Sequence, residues 1–235
     1  MVFHLDIEQL NHYDKLVKME INKKITPEIE QAYLKFQEKI DCRLDEFSEI
    51  GKNASQEELF AELAFCILTP QSKARLCWEA ILTMKKKDIL LNGTKEEINK
   101  ELQKVRFKNK KTEYLLEARK KFFRDNNSIY SNIKKIKSPL KLREYLVKNV
   151  KGLGWKEASH FLRNIGLGAD IAILDRHIIR NLVKLDVLEE YPKNLSEKKY
   201  KEIEEKMKKL SKDLGICMAT LDHVFWAKET GEVFK

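Results

Sequence analysis

The run VKGLGWKEASHFLRNIG, Val150–Gly166, carries the residues of this chain best placed to do chemistry. Of eight glycines in 235 residues, four (Gly152, Gly154, Gly166 and Gly168) fall in or beside it. Glycine admits positive φ and lacks a Cβ, so backbone N–H groups there can come close to a ligand. Ala158, Phe161, Leu162 and Ile165 follow at spacing i, i+3, i+4, i+7, which predicts a helix opening just after Gly154. Its unpaired N–H donors and positive dipole end then face outward beside Gly152 and Gly154. That combination binds an anion, and a DNA phosphate fits it. The plainer alternative is an ordinary αα-hairpin whose glycine only ends a helix.

Lys156 falls in the first turn of the predicted helix. At roughly 100° per residue it lies almost opposite the apolar stripe, so it faces outward. Taken singly it reads as a solvated lysine or a phosphate contact. Asp175 precedes RHIIRNLVKL, where Ile178, Ile179 and Leu182 share one face, the pattern of a helix N-cap. A capping carboxylate is held ionised by backbone donors, as a stabiliser of positive charge must be. His160 shares a helical face with Lys156, and His177 follows Asp175 closely. Each reads as a structural hydrogen bond or a phosphate contact, with a proton shuttle as the alternative.

The elements that must hold these residues are helical almost throughout. Ser138-Pro139 looks like an N-cap with proline in the first turn. Leu142, Tyr145, Leu146 and Val150 then form a stripe, giving helix, tight glycine turn, helix. A long amphipathic helix is predicted from Pro27, with Ile29, Tyr33, Phe36, Ile40, Leu44 and Phe47 on one face. SQEE at Ser55–Glu58 and TKEE at Thr94–Glu97 fit capping boxes. Tyr114, Leu115, Ala118 and Phe122, and then Tyr200, Ile203, Met207, Leu210 and Leu214, repeat the helical period. Alternating strand patterns are scarce. The expectation is an all-α protein of roughly ten helices. Residues 1–26 read as an N-terminal extension to one functional unit over 27–235, with its hairpin at 139–166.

Charge and cysteine usage narrow the function. Lys and Arg number 46 against 37 Asp and Glu, a net charge of +9, which favours an anionic partner. The N-terminus has no secretory pattern, and no apolar run is long enough to span a bilayer. The expected setting is the cytoplasm, away from membranes. Cys42, Cys66, Cys77 and Cys217 make no zinc spacing. Cys66 and Cys77 lie in apolar helical stretches and read as buried thiols.

KGLGWKEASHFLRNIG followed by AILDRH resembles the helix-hairpin-helix DNA glycosylase superfamily, and within it the archaeal-type (type 2) 8-oxoguanine DNA glycosylase/AP lyases. The resemblance runs from about Pro27 to Lys235. It implies a two-lobed helical fold with a DNA-binding cleft between the lobes. It makes Lys156 the nucleophile and Asp175, nineteen residues later, the catalytic carboxylate. The lysine attacks C1′ of the damaged nucleotide as its free amine, and the imine so formed makes the C2′ proton acidic. At neutral pH fewer than about one ordinary lysine in a thousand is uncharged; the positive end of a helix dipole opposes the charged form. The ending LDHVFWAKETGEVFK resembles the family's C-terminus, which implies that Asp222, Trp226 and Lys235 belong to the base pocket. His223 stands where that pattern has an apolar residue.

A glycosylase must also flip its target and fill the gap. FCILTPQS, Phe65–Ser72, breaks at Pro70, and other superfamily members place an amide in a comparable loop. Gln71 is therefore the expected wedge, against a plain helix–helix corner. Phe107 lies in the basic run VRFKNKK and suits base recognition by stacking, against core packing. No iron–sulfur cluster, metal or other cofactor is expected. The expected protein is a monomer that removes 8-oxoguanine from double-stranded DNA and cuts the strand by β-elimination. It would act in the cytoplasm of a prokaryotic cell, at the nucleoid. The alternatives are a same-fold glycosylase for another lesion and a non-enzymatic helix-hairpin-helix DNA-binding module.

Overall fold

The computed structural model describes residues 27–124 and 128–235. The extension expected over residues 1–26 lies outside the described residues. Helix α1, Pro27–Asn53, buries Ile29, Phe36, Ile40 and Phe47 along the predicted stripe. Helix α2, Gln56–Leu68, opens on a complete capping box: the Ser55 hydroxyl accepts from Glu58 N–H (3.2 Å), and the Glu58 carboxylate accepts from Ser55 N–H (2.8 Å). Every residue from Leu59 to Leu68 is buried, as in a helix covered on all sides.

Then come α3 (Ala74–Lys86), the short α4 (Ile89–Asn92), α5 (Lys95–Glu101, capped by Thr94 and Glu97) and α6 (Lys108–Arg119). A π-helical turn, Lys120–Arg124, ends α6. After it come α7 (Ile129–Lys135), α8 (Pro139–Asn149), α9 (Trp155–Asn164), α10 (Arg176–Lys184), α11 (Glu197–Leu214) and α12 (Met218–Thr230). All regular elements among the described residues are helices. The excess over the expected ten lies in pieces such as α4, too short to show a period.

The chain divides into two compact units. One takes the start of α1, to Cys42, with Leu174–Phe234. In it α12 packs on α10 and α11, and α11 buries Tyr200, Ile203, Met207, Leu210 and Leu214 as its spacing predicts. The other runs from Arg43 to Ile173 and includes Lys235. Its centre is α2, which contacts α3, α6, α7 and α9.

Candidate active site and DNA interface

The hairpin forms as its sequence dictates. The Ser138 hydroxyl caps α8 by accepting from Lys141 N–H, with Pro139 at the first helical position. Leu142 and Leu146 are buried along α8, and α9 starts at Trp155. Arg143, 1% exposed, ties the helices together. Its guanidinium donates to the Ser159 hydroxyl (3.1 Å) and lies 4.8 Å from the centre of the Trp155 ring. Gly152 has φ +85°, and a Cβ there would meet the Tyr114 ring at 2.6 Å, so the turn and the close approach both require glycine.

Gly154 differs from the expectation. Its φ is −91°, open to any residue, and its N–H donates to Glu157 Oε2 (3.2 Å). In this state a carboxylate of the chain occupies a donor that the glycine pattern reserves for a phosphate. The local cause is a glutamate at the third helical position, which reaches back to the N-cap.

Lys156 is less exposed than its position opposite the apolar stripe implies: its side chain is 27% exposed, and Nζ lies 3.0 Å from Glu157 Oε1. A helical wheel gives a direction relative to one helix, without the neighbours standing there. Here the ammonium is within electrostatic reach of Cys66, Cys77, Lys111 and His160. His160 is buried, edge-on to Phe65 (5.4 Å between centroids). Burial, with the charges of Arg163 and Lys156, holds its pKa well below the usual histidine range, so the ring is neutral at pH 7.

A second enclosed polar group surrounds Lys235. Its ammonium is ion-paired with Glu62, and both side chains are almost fully buried. It stands 3.8 Å from the centre of the Trp78 ring, and 5.9 Å from those of Phe47 and Phe65. Glu62 also accepts from Asn164 Nδ2 (3.0 Å). Burial lowers the Lys235 pKa, and the Glu62 carboxylate opposes that fall. Lys156 and Lys235 both act on Cys66 and His160, so the fold gathers two of the expected site residues around the same pair of buried groups. Sequence reasoning missed Glu62 and Trp78. Glu62 had a readable signal, as the one charged residue in LFAELAFCIL. Trp78 had none.

In the other unit, Asp175 is the N-cap of α10. Its Oδ1 accepts from His177 N–H (2.8 Å) and Ile178 N–H (2.9 Å), and the preceding Leu174 N–H donates to Tyr200 Oη (3.2 Å). Two backbone donors and an anchored neighbour fix this carboxylate. His177 stands edge-on to Trp226 at 5.1 Å, which orients the indole. Trp226 is half-buried, and its Nε1 has no hydrogen-bond partner. Asp222 is buried one turn earlier on α12. His223 is buried too, with Nδ1 2.8 Å from the Ala219 carbonyl oxygen, so a polar ring is accommodated there.

Gln71 and Phe107 lie in the same unit as the hairpin. Gln71 is exposed, with φ 55°. Phe107 precedes α6 with φ 59° and is 55% exposed, so it is no part of a core; the Arg106 guanidinium lies 5.5 Å from its ring centre. The rings around Lys235 do not include it.

A family model described as 8-oxoguanine DNA glycosylase matches residues 40–216. The chain is 48% identical over 209 residues to an 8-oxoguanine DNA glycosylase/AP lyase of Fusobacterium nucleatum, covering 88% of this chain and 96% of that protein. It is 40% identical over 200 residues to the protein of the same name from Methanocaldococcus jannaschii, covering 83% and 91%. The crystal structure of the 8-oxoguanine DNA glycosylase of Thermotoga maritima superposes with a TM-score of 0.79 at 32% identity, over 94% of this chain and 99% of that one. The Methanocaldococcus jannaschii 8-oxoguanine glycosylase/lyase, in complex with a 15mer DNA containing 8-oxoguanine, gives 0.78 at 36% identity, over 94% and 100%.

Proposed function

The chain belongs to the family of 8-oxoguanine DNA glycosylases, and on that premise we propose that it excises 8-oxoguanine from double-stranded DNA and then cuts the strand by β-elimination. The observation that carries the reading is Lys156, an amine in the first turn of the helix that follows the Gly152 turn. The same hairpin suits a phosphate of the strand under attack.

In the reaction Lys156 Nζ attacks C1′. The bond from C1′ to the base breaks, and the base leaves with its electron pair and takes up a proton. Asp175, fixed in place by its two backbone donors, stabilises positive charge on the sugar as the base departs. The nitrogen lone pair then opens the sugar ring: the C1′–O4′ bond breaks, O4′ takes up a proton, and the amine and C1′ are joined as an iminium, which acidifies the C2′ proton. Loss of that proton expels the phosphate on the 3′ side. Lys156 must first leave Glu157, which pairs with it. A phosphate that takes the Gly154 N–H from Glu157 would loosen that contact.

Lys235, Trp226, Asp222 and Phe107 are assigned to the base, Gly152 and Gly154 to the phosphate, and Gln71 to the gap left in the duplex. Residues 27–235 act as one catalytic unit, as a monomer in a prokaryotic cytoplasm. The test is a comparison of duplexes carrying 8-oxoguanine, uracil or an oxidised pyrimidine. We expect release of 8-oxoguanine with strand cleavage. Release of a pyrimidine in its place, or DNA binding with no base released, would overturn the assignment.

A further inference from the structure

Among the described residues, four other than glycine adopt left-handed backbone: Gln71, Asp88, Phe107 and Asp186. Aspartate reaches this region at little cost through local hydrogen bonding, whereas glutamine and phenylalanine are held there by their surroundings. For Gln71 the holding group is visible. Lys111, on α6, is 4% exposed. Its Nζ donates to the Leu68 carbonyl (2.7 Å), the Pro70 carbonyl (2.7 Å) and the Ser72 hydroxyl (3.0 Å). An ammonium has three donors, and all three are used.

The contact to Leu68 by itself caps the C-terminus of α2. The other two reach past the helix and flank Gln71 on both sides. Ser72 Oγ in turn accepts from Arg106 N–H (3.0 Å), one residue before the other strained position, Phe107. None of the three acceptors is a carboxylate, and burial lowers the Lys111 pKa. An apolar side chain would fill this space without burying a charge. What it would not do is grip the backbone on both sides of one exposed glutamine.

We propose that Lys111 is a positioning residue for a DNA-entering loop, fixing Gln71 so that its side chain meets the duplex already ordered. The proposal rests on the reading of Gln71 as the wedge. A loop ordered before contact loses less freedom on binding than one that must order there.

The test uses single-turnover excision from two duplexes. In one, 8-oxoguanine is paired; in the other it faces an abasic nucleotide, so there is no pair to break and no gap to fill. Lys111→Met and Gln71→Ala should each slow the paired lesion about 10- to 30-fold and the unpaired lesion less than about 3-fold. The double variant should be no more than about 2-fold slower than the slower single, because both remove one function. Ser72→Ala, which deletes one of the three acceptors, should show the same selectivity in milder form; it carries the test if Lys111→Met does not fold. Equal slowing on both duplexes, or full multiplication in the double variant, overturns the proposal. If Gln71→Ala acts on the paired lesion at the parent rate, the wedge reading falls and Lys111 with it. If Gln71→Ala shows the selective loss and neither Lys111→Met nor Ser72→Ala does, the wedge stands and the role of Lys111 alone is refuted.

Discussion

Replacing Glu62 by glutamine should destabilise the protein through Lys235, with a pH signature that identifies the cause. Glu62 and Lys235 are both buried, and the carboxylate also accepts from Asn164. Glu62→Gln keeps the shape and an amide oxygen but leaves the ammonium without its counter-charge. Breaking a buried pair costs about 3–5 kcal/mol. The Trp78 face and the remaining amide oxygen keep the loss near the low end, about 3 kcal/mol. For a chain of this size that lowers Tm by about 6–12 °C.

The sign with pH follows from the lysine. Burial already pulls the Lys235 pKa below the ordinary range, and Glu62 opposes the fall. Without Glu62 the folded-state pKa drops further below its unfolded value. Between those two values the unfolded chain binds more protons, so the variant gains stability as pH rises. Thermal denaturation should therefore show the gap to the parent narrowing from neutral pH into the lysine range. Glu62→Gln with Lys235→Met should recover part of the loss at pH 7 and lose the pH dependence. A gap unchanged with pH, or a double variant that shows the sum of two independent losses, would refute this reasoning.

Asp175→Asn keeps a side chain that caps helices well, so stability should move by less than about 0.5 kcal/mol while excision falls at least about 100-fold. Asp175→Ala should lose the cap as well, about 1 kcal/mol by thermal denaturation. Gly152→Val must adopt positive φ against the Tyr114 ring, a strain of about 1–3 kcal/mol. Its binding to undamaged duplex should weaken, and the salt dependence should become shallower by about 0.9 in log–log slope for each phosphate the hairpin no longer holds. Gly154→Ala, with ordinary φ, should be the milder of the two. A thiol reagent should modify exposed Cys42 and Cys217 in the native protein. Cys66 and Cys77 should react only on unfolding, since burial pushes the Cys77 thiol up to about 11 and the Cys66 thiol well above its usual range.

The features legible in the sequence were those set within one turn of chain. The capping boxes at Ser55 and Thr94, the Ser138-Pro139 start and the Asp175 cap all join a side chain to a backbone group two or three residues away. The stripe Ala158, Phe161, Leu162 and Ile165 is likewise a property of one helix, and all four are buried. What the sequence hid are partnerships that only tertiary packing creates. Lys235 and Glu62 are 173 residues apart, and Lys111 reaches back 43 residues to Leu68. A lysine in a basic run gives no sign that it is buried, as Lys111 is. The half-burial of Lys156 depends on neighbours from other helices, and the occupation of the Gly154 N–H on which way Glu157 turns.

Borohydride trapping tests the central claim most directly, because it reduces an imine between lysine and sugar to a permanent bond. With a duplex carrying 8-oxoguanine, we expect a covalent protein–DNA adduct whose modified peptide maps to Lys156. Lys156→Gln should still bind the duplex and form no adduct. A wild-type protein that yields no adduct, or a Lys156→Gln variant that yields as much as wild type, would contradict the account.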